Sequence, residues 1–118
     1  MKSIGALLLM MGSLHPFHAT AEEGAPQPTS MQNKAAKLAG LAGFVNMSCP
    51  EIRADKDRFR AAVQAMKIDP DELEQGQLRL TAQSYIAAYQ KDAATSCRRA
   101  AELFGRNGSV ISGVFVSR

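Results

Sequence analysis

The fold follows from Gln77–Phe104, QLRLTAQSYIAAYQKDAATSCRRAAELF, the longest periodic run of the chain. Its apolar residues recur at intervals of three and four, the spacing that places side chains on one face of an α-helix. That face carries Leu78, Ala82, Tyr85, Tyr89, Ala93, Cys97, Ala100 and Phe104. Gly105 follows directly and is predicted to end the helix in the left-handed conformation. A break near Lys91-Asp92 is the alternative to one continuous helix.

A first helix is predicted over about Met31 to Met47, with Ser30 as its N-cap. Its apolar residues also step by three and four. Gly40 and Gly43 interrupt this helix, and either they weaken it or they permit close packing against a neighbour.

Two further helix starts lie between these runs. Ser48-Cys49-Pro50-Glu51 has the spacing of a capping box, so we predict a second helix from there to about Lys67. Asp69-Pro70-Asp71-Glu72 is a second box with Pro at the first helical position, and it predicts a short third helix that Gly76 ends.

The segment beyond Gly105 has a different character. Asn107-Gly108 is a turn signal, and Val110–Val116 is a short β-prone run. Because a lone strand has no visible partner, we expect an extended tail that Ile111, Val114 and Val116 anchor on the helices. The predicted fold class is all-α: one small domain over residues 31–118, a bundle of three to four helices with an extended C-terminal tail.

The first twenty-one residues have the pattern of a secretory signal peptide. Lys2 precedes an apolar core, Ile4–Leu14, and Ala19-Thr20-Ala21 supplies the small residues that signal peptidase accepts. We therefore predict a bacterial Sec-type signal, cleavage between Ala21 and Glu22, a periplasmic or secreted protein and a flexible leader over residues 22–30. A membrane anchor is the alternative, but about eleven apolar residues are fewer than the roughly 20 that span a bilayer.

Cys49 and Cys97 are the two cysteines of the chain. In an oxidising compartment they have one intramolecular pairing, which would close a loop of about 49 residues and contribute about 4 kcal/mol to stability. A redox pair is the alternative, although the Cys-x-x-Cys spacing of active pairs is absent. We expect a structural bridge.

Composition and charge argue against several functions. Removal of the signal takes Lys2 away and lowers the formal charge from +3 to +2, too mild a balance to predict binding to nucleic acid or a membrane surface. His15 and His18 lie in the predicted signal, so Ser-His-Asp and Cys-His catalysis are not expected. Gly-rich phosphate loops are absent, and the carboxylates within residues 69–74 lack calcium-loop spacing. We predict no catalytic, cofactor-binding or metal site.

A basic patch on and beside the last helix is the candidate partner-binding site, and it consists of Lys91, Arg98, Arg99 and Arg106. The alternative is a solvated face beside the C-terminal carbonyls of the helix. We predict a non-enzymatic binding or accessory module for another exported protein, with a homodimer as a further arrangement. The first helix around Lys34 and Lys37 is the alternative contact surface.

The positions of the cysteines carry a family resemblance. Ser48-Cys49-Pro50-Glu51 opens a predicted helix, and Thr95-Ser96-Cys97 lies far along a later one. Over about half of the chain this layout resembles the acid-activated periplasmic chaperones of the HdeA family, small all-helical proteins with one disulfide. The resemblance implies a chaperone that exposes its core in acid. The added first helix and FGRNGSVISGVF, in place of a lysine-rich ending, depart from that family. Small helical immunity proteins of type VI secretion, with a disulfide, are a further class.

Overall fold

The computed structural model describes residues 27–118, so the predicted signal peptide and residues 22–26 of the leader lie outside the described residues. In chain order the elements are α1 Ser30–Ser48, β1 Ile52–Ala54, α2 Lys56–Ala65, a 3₁₀-helix Pro70–Glu74, α3 Gly76–Gln90, α4 Ala93–Phe104 and β2 Phe115–Ser117. The predicted fold class, a small helical bundle with one disulfide, is confirmed.

A capping box begins α1. The Thr29 hydroxyl accepts a hydrogen bond from the Gln32 backbone N–H at 3.0 Å, and the Gln32 side chain accepts one from the Thr29 N–H at 2.8 Å. Ser30, the predicted cap, is instead the first helical residue, because Gln32 completes the box from Thr29.

The centre of the molecule is the contact between α1 and α3. A Cβ atom at Gly40 would lie 2.6 Å from the Ala82 carbonyl oxygen, so the two backbones approach each other where a side chain is missing. Further along, the Phe44 and Tyr89 ring centroids are 5.8 Å apart. Of the two roles considered for Gly40, close packing is the one that the structure shows.

The prediction that the second helix begins at residues 48–51 is wrong. Ser48 is the last residue of α1, and its hydroxyl donates to the Gln90 side-chain oxygen at 3.1 Å. β1 follows, and α2 begins only after Asp55, whose carboxylate accepts from the Arg58 N–H at 3.0 Å. The capping-box pattern is a local signal, and here strand pairing with a distant segment overrides it.

That distant segment is the tail. β2 pairs antiparallel with β1, with Ile52 opposite Ser117 and Ala54 opposite Phe115. The expectation of an unpaired tail is therefore wrong. Phe115 is fully buried and Val114 is 1% exposed, so the tail supplies part of the core rather than a cover over it. The predicted anchors Ile111 and Val116 are half-buried.

The long periodic run is broken at Lys91-Asp92. α3 ends at Gln90, and Asp92 caps α4 by accepting from the Thr95 N–H at 3.3 Å. Gly105 ends α4 as predicted, but its φ of −78° is extended rather than left-handed. The tail folds back on this end, and the Gly113 N–H donates to the Gly105 carbonyl at 2.8 Å.

The predicted short helix after Asp69 is a 3₁₀-helix. The Asp69 carboxylate accepts from the Asp71 N–H at 3.0 Å, and Pro70 occupies the first turn, as the pattern indicates. The element ends at Glu74, and Gly76, with a φ of 56°, begins α3.

The disulfide joins Cys49, just after α1, to Cys97 in α4, with their Cα atoms 5.6 Å apart. Such a bridge indicates an oxidising, extracytoplasmic compartment. Among residues 27–118, no helix combines the length and the apolar content needed to cross a bilayer.

Candidate binding surfaces

A groove of about 820 Å³ runs beside the disulfide. One wall runs from Ser48, the last residue of α1, to Ile52, the first residue of β1, and the other wall is α4 with Arg106 and Asn107 just beyond it. Cys49 and Cys97 covalently join the two walls. We call this surface the disulfide groove; its lining includes Glu51, Ile52, Ala94, Arg98, Glu102 and Arg106.

Charges of both signs line the disulfide groove. Arg98, Glu102 and Arg106 follow one another at intervals of four, which keeps Arg98 and Glu102 on one face of α4. Glu51 belongs to the opposite wall. Within the described residues the one ion pair joins Arg60 to Asp71, outside the groove, so these four charges are not neutralised by salt bridges.

The structure divides the predicted basic patch, because two of its residues line the disulfide groove and two do not. Arg98 and Arg106 line the disulfide groove, and the Arg98 Nη2 donates to the Thr95 hydroxyl at 3.4 Å. Lys91 lies at the C-terminal end of α3, and Arg99 is exposed on α4; neither lines the groove. The geometry therefore brings together two of the four predicted residues.

Sequence reasoning missed the acidic members of the groove. Glu51 belongs to a capping-box pattern that does not form, because Asp55 caps α2, and Glu102 lies on the polar face of the periodic run. The available signal was the alternation of charge at Arg98, Glu102 and Arg106. The position of Glu51 opposite α4 depends on the disulfide and on β1, so the local sequence carries no sign of it.

A second groove, of about 300 Å³, lies where α1, α4 and the tail meet. Its apolar side chains include Leu38, Leu41, Met66, Phe104, Val110 and Ile111. Lys34 and Lys37, which the sequence suggested as an alternative contact surface, are the charged residues that line it. We call this surface the lysine groove; it shares no residue with the disulfide groove.

Tyr89 also lines the lysine groove. Burial raises the pKa of the Tyr89 hydroxyl above its ordinary value of 10.0, and the neighbouring Tyr85 raises it further. The two rings stack with centroids 6.1 Å apart. Tyr89 therefore presents a neutral ring to this groove at neutral pH.

Both surfaces combine apolar contact area with charged side chains, the composition of protein interfaces and ligand sites. Across residues 27–118, no three His, Cys, Asp or Glu side chains come together in a way that could hold a metal ion. Comparison with protein-family models, with curated proteins and with solved structures finds no match to this chain.

Proposed function

We propose that this protein is a non-enzymatic binding module for another exported protein and that the partner docks in the disulfide groove. One observation carries the proposal: four charges that form no salt bridge within the described residues surround an apolar groove whose walls are covalently joined. Protein interfaces have this arrangement, an apolar centre within a polar rim.

The chemistry of the groove defines the partner segment. Ile52 and Ala94 offer apolar contact, Arg98 and Arg106 suit acidic side chains of the partner, and Glu51 suits a basic one. Alternating charges of this kind select the orientation of the partner more than they add affinity. Because the bridge already joins the walls, docking costs little backbone entropy, and the main ordering cost is that of the exposed Glu51, Arg98 and Arg106 side chains.

Site-specific photocrosslinking in exporting bacteria tests this proposal. A photoreactive residue replaces Ala94 in the groove or, as a control, Ala61, an exposed position on α2 outside both grooves. We expect a discrete adduct from position 94 alone. The partner identified by mass spectrometry is then purified, and its direct affinity for the protein is measured.

Charge reversal makes the test specific to the groove. Arg98→Glu with Arg106→Glu should weaken affinity for the purified partner about fivefold or more, whereas Lys91→Glu with Arg99→Glu, the same change of charge outside the groove, should not. Equal adducts from positions 94 and 61, or equal affinities of the two double variants, would overturn the proposal. An adduct of two copies of the chain would identify a homodimer instead.

An acid-stress chaperone is the second candidate. Its support is the small helical bundle with one disulfide, the general layout of the chaperones that the cysteine positions resemble. A chaperone should lose helicity cooperatively, bind a hydrophobic dye and prevent client aggregation at about pH 3. A simple binding module should keep its helicity there.

An immunity or inhibitor role is a special case of the binding function. It requires that the crosslinked partner be a toxin or an enzyme. Inhibition of that partner by the purified protein, lost on Arg98→Glu with Arg106→Glu, would distinguish this role from an accessory one.

A further inference from the structure

We propose that the lysine groove binds a single-chain amphiphile with an anionic head group, with the apolar chain in the groove and the head group at Lys34 and Lys37. This inference does not rest on the proposed function, because the two grooves share no residue.

The interior of the lysine groove suits an alkyl chain. Leu38 and Leu41 of α1, Phe104 of α4 and Ile111 of the tail all line this groove, whose volume is about 300 Å³. Since an apolar cavity of about 150 Å³ accommodates one benzene molecule, this volume accommodates about twelve carbon atoms. Met66 adds a flexible thioether side chain, which adapts to the shape of a bound chain.

Part of this apolar surface faces solvent. Val110 is 61% exposed although it lines the groove. The backbone holds Val110 there, because its N–H, on the returning tail, donates to the Leu103 carbonyl of α4 at 3.0 Å. A chain bound in the groove would cover this side chain.

The charge of the groove selects an anion. Lys34 and Lys37 are exposed and three residues apart on α1, so they lie on one side of the helix. No carboxylate lines the groove, and neither lysine has a salt bridge within the part of the chain that the structure describes. The Lys37 ammonium lies 5.8 Å from the centroid of the Tyr85 ring, a cation–π contact on α3. The disulfide groove, by contrast, has charges of both signs.

The size of the groove favours one alkyl chain over a helix of a partner protein. A helix docked in a groove uses anchors spread over two or more turns. A volume of about 300 Å³ is at the lower end of small-molecule sites. The shared chemistry is an alkyl chain with an anionic head, whose source is a fatty-acid carboxylate or the phosphate of a single-chain phospholipid.

Titration with three probes of equal chain length tests the inference. Dodecanoate, dodecyl phosphate and dodecyltrimethylammonium are added, each below its micelle concentration, to the exported protein with labelled methyl groups. We expect the two anions to shift the methyl signals of Leu41, Met66 and Ile111, with a Kd about tenfold or more below that of the cation. The tighter anion identifies the head group. Equal affinity for anion and cation, or shifts confined to other surfaces, would overturn the proposal.

Paired substitutions connect the affinity to the groove. Lys34→Gln with Lys37→Gln should raise the Kd for the preferred anion about fivefold or more, whereas Lys91→Gln with Arg99→Gln, which removes the same charge elsewhere, should leave it unchanged. Octanoate should bind more weakly than dodecanoate, a comparison that needs no variant. Affinity that is insensitive to both the lysines and the chain length would contradict the inference and would leave the crosslinking test of the disulfide groove unaffected.

Discussion

At the scale of single residues, the Arg118 guanidinium covers the C-terminal end of α1. Its Nε donates to the Cys49 carbonyl at 2.9 Å, and its Nη2 donates to the Asn46 carbonyl at 2.9 Å and to the Val45 carbonyl at 3.4 Å. The last carbonyls of a helix lack partners within the helix, and a cation is favourable there. Arg118 therefore supplies a donor to the Asn46 and Cys49 carbonyls and adds a second donor to the Val45 carbonyl, which already accepts from the Cys49 N–H at 3.0 Å.

Arg118→Gln should lower the free energy of unfolding by about 1.5 kcal/mol, because charge-assisted hydrogen bonds are lost. Urea denaturation measures the change. Arg99→Gln is the control, since Arg99 is exposed on α4 and lines neither groove. Equal stability of the two variants would contradict this role of Arg118.

Asp55 and Ser48 offer a direct comparison of the observed and the sequence-predicted cap of α2. Asp55→Ala should lower stability by about 1 kcal/mol and speed amide exchange at Arg58, because the first turn loses its acceptor. Ser48→Ala should change stability by less than about 0.5 kcal/mol, since its hydroxyl bonds to Gln90 on the surface. The reverse order would place the helix start at Ser48.

Tyr89 should make stability fall at alkaline pH. Its pKa in the folded protein is raised above the ordinary value of 10.0, so the folded state holds the proton more tightly than the unfolded state. That contribution is complete below about pH 10 and is lost as pH rises through the folded-state pKa. Between about pH 9 and pH 11, urea midpoints of Tyr89→Phe should therefore fall less than those of the parent. If the urea midpoints of the parent and of Tyr89→Phe fall in parallel with pH, the pKa of Tyr89 is not raised by folding.

At the scale of elements, the contact between α1 and α3 depends on Gly40 more than on Gly43. A Cβ atom at Gly40 meets the Ala82 backbone oxygen at 2.6 Å, whereas one at Gly43 meets only the side-chain end of Ile86, at 2.9 Å. The backbone cannot move aside without separating the helices, but the Ile86 side chain can rotate.

Gly40→Ala should therefore destabilise the protein by about 1–3 kcal/mol through overpacking. Gly43→Ala should be neutral or stabilising by up to about 1 kcal/mol, because alanine favours the helix. Thermal unfolding followed by circular dichroism compares the two variants. A similar loss of stability in both variants would show that the close approach of α1 and α3 at Gly40 is not the cause of the destabilisation.

At the scale of the whole molecule, two long-range connections close the fold. The disulfide joins residues 48 positions apart, and β2 brings Phe115 and Val114 into the core beside β1. Phe115 packs edge-on against Phe104, with ring centroids 6.0 Å apart. The tail is thus part of the domain. Because it supplies buried core residues, its removal should unfold the protein.

Replacing both cysteines, Cys49→Ser with Cys97→Ser, should lower stability by about 4 kcal/mol, because the unfolded chain regains the freedom of a long loop. Urea denaturation of this variant should match that of the reduced parent. A parent whose unfolding is insensitive to reductant would show that the bridge does not contribute to stability. Mass spectrometry of the exported protein checks the bridge and the predicted Ala21/Glu22 cleavage together.

Features that depend on neighbours along the chain could be predicted from the order of the amino acids. Periodicity located α1 and the run that forms α3 and α4, and end signals located the cap at Asp69 and the stop at Gly105, whereas the predicted start of α2 was wrong. Two cysteines permit one intramolecular pairing, so the bridge too could be predicted. The helix-end signals depend only on nearby residues, and two cysteines allow only one intramolecular pairing. Tertiary contacts therefore altered these features little.

The pairing of β1 with β2, and with it the disulfide groove, depends on contacts between distant segments of the chain. Ile52–Ala54 follows a good capping pattern but becomes a strand, because Phe115–Ser117, far along the chain, supplies its hydrogen-bond partners. The same rearrangement places Glu51 across from Arg98 and leaves Arg99 outside the groove. Local propensities are worth about 1 kcal/mol or less per residue, so contacts between distant segments override them wherever they bury more of the core.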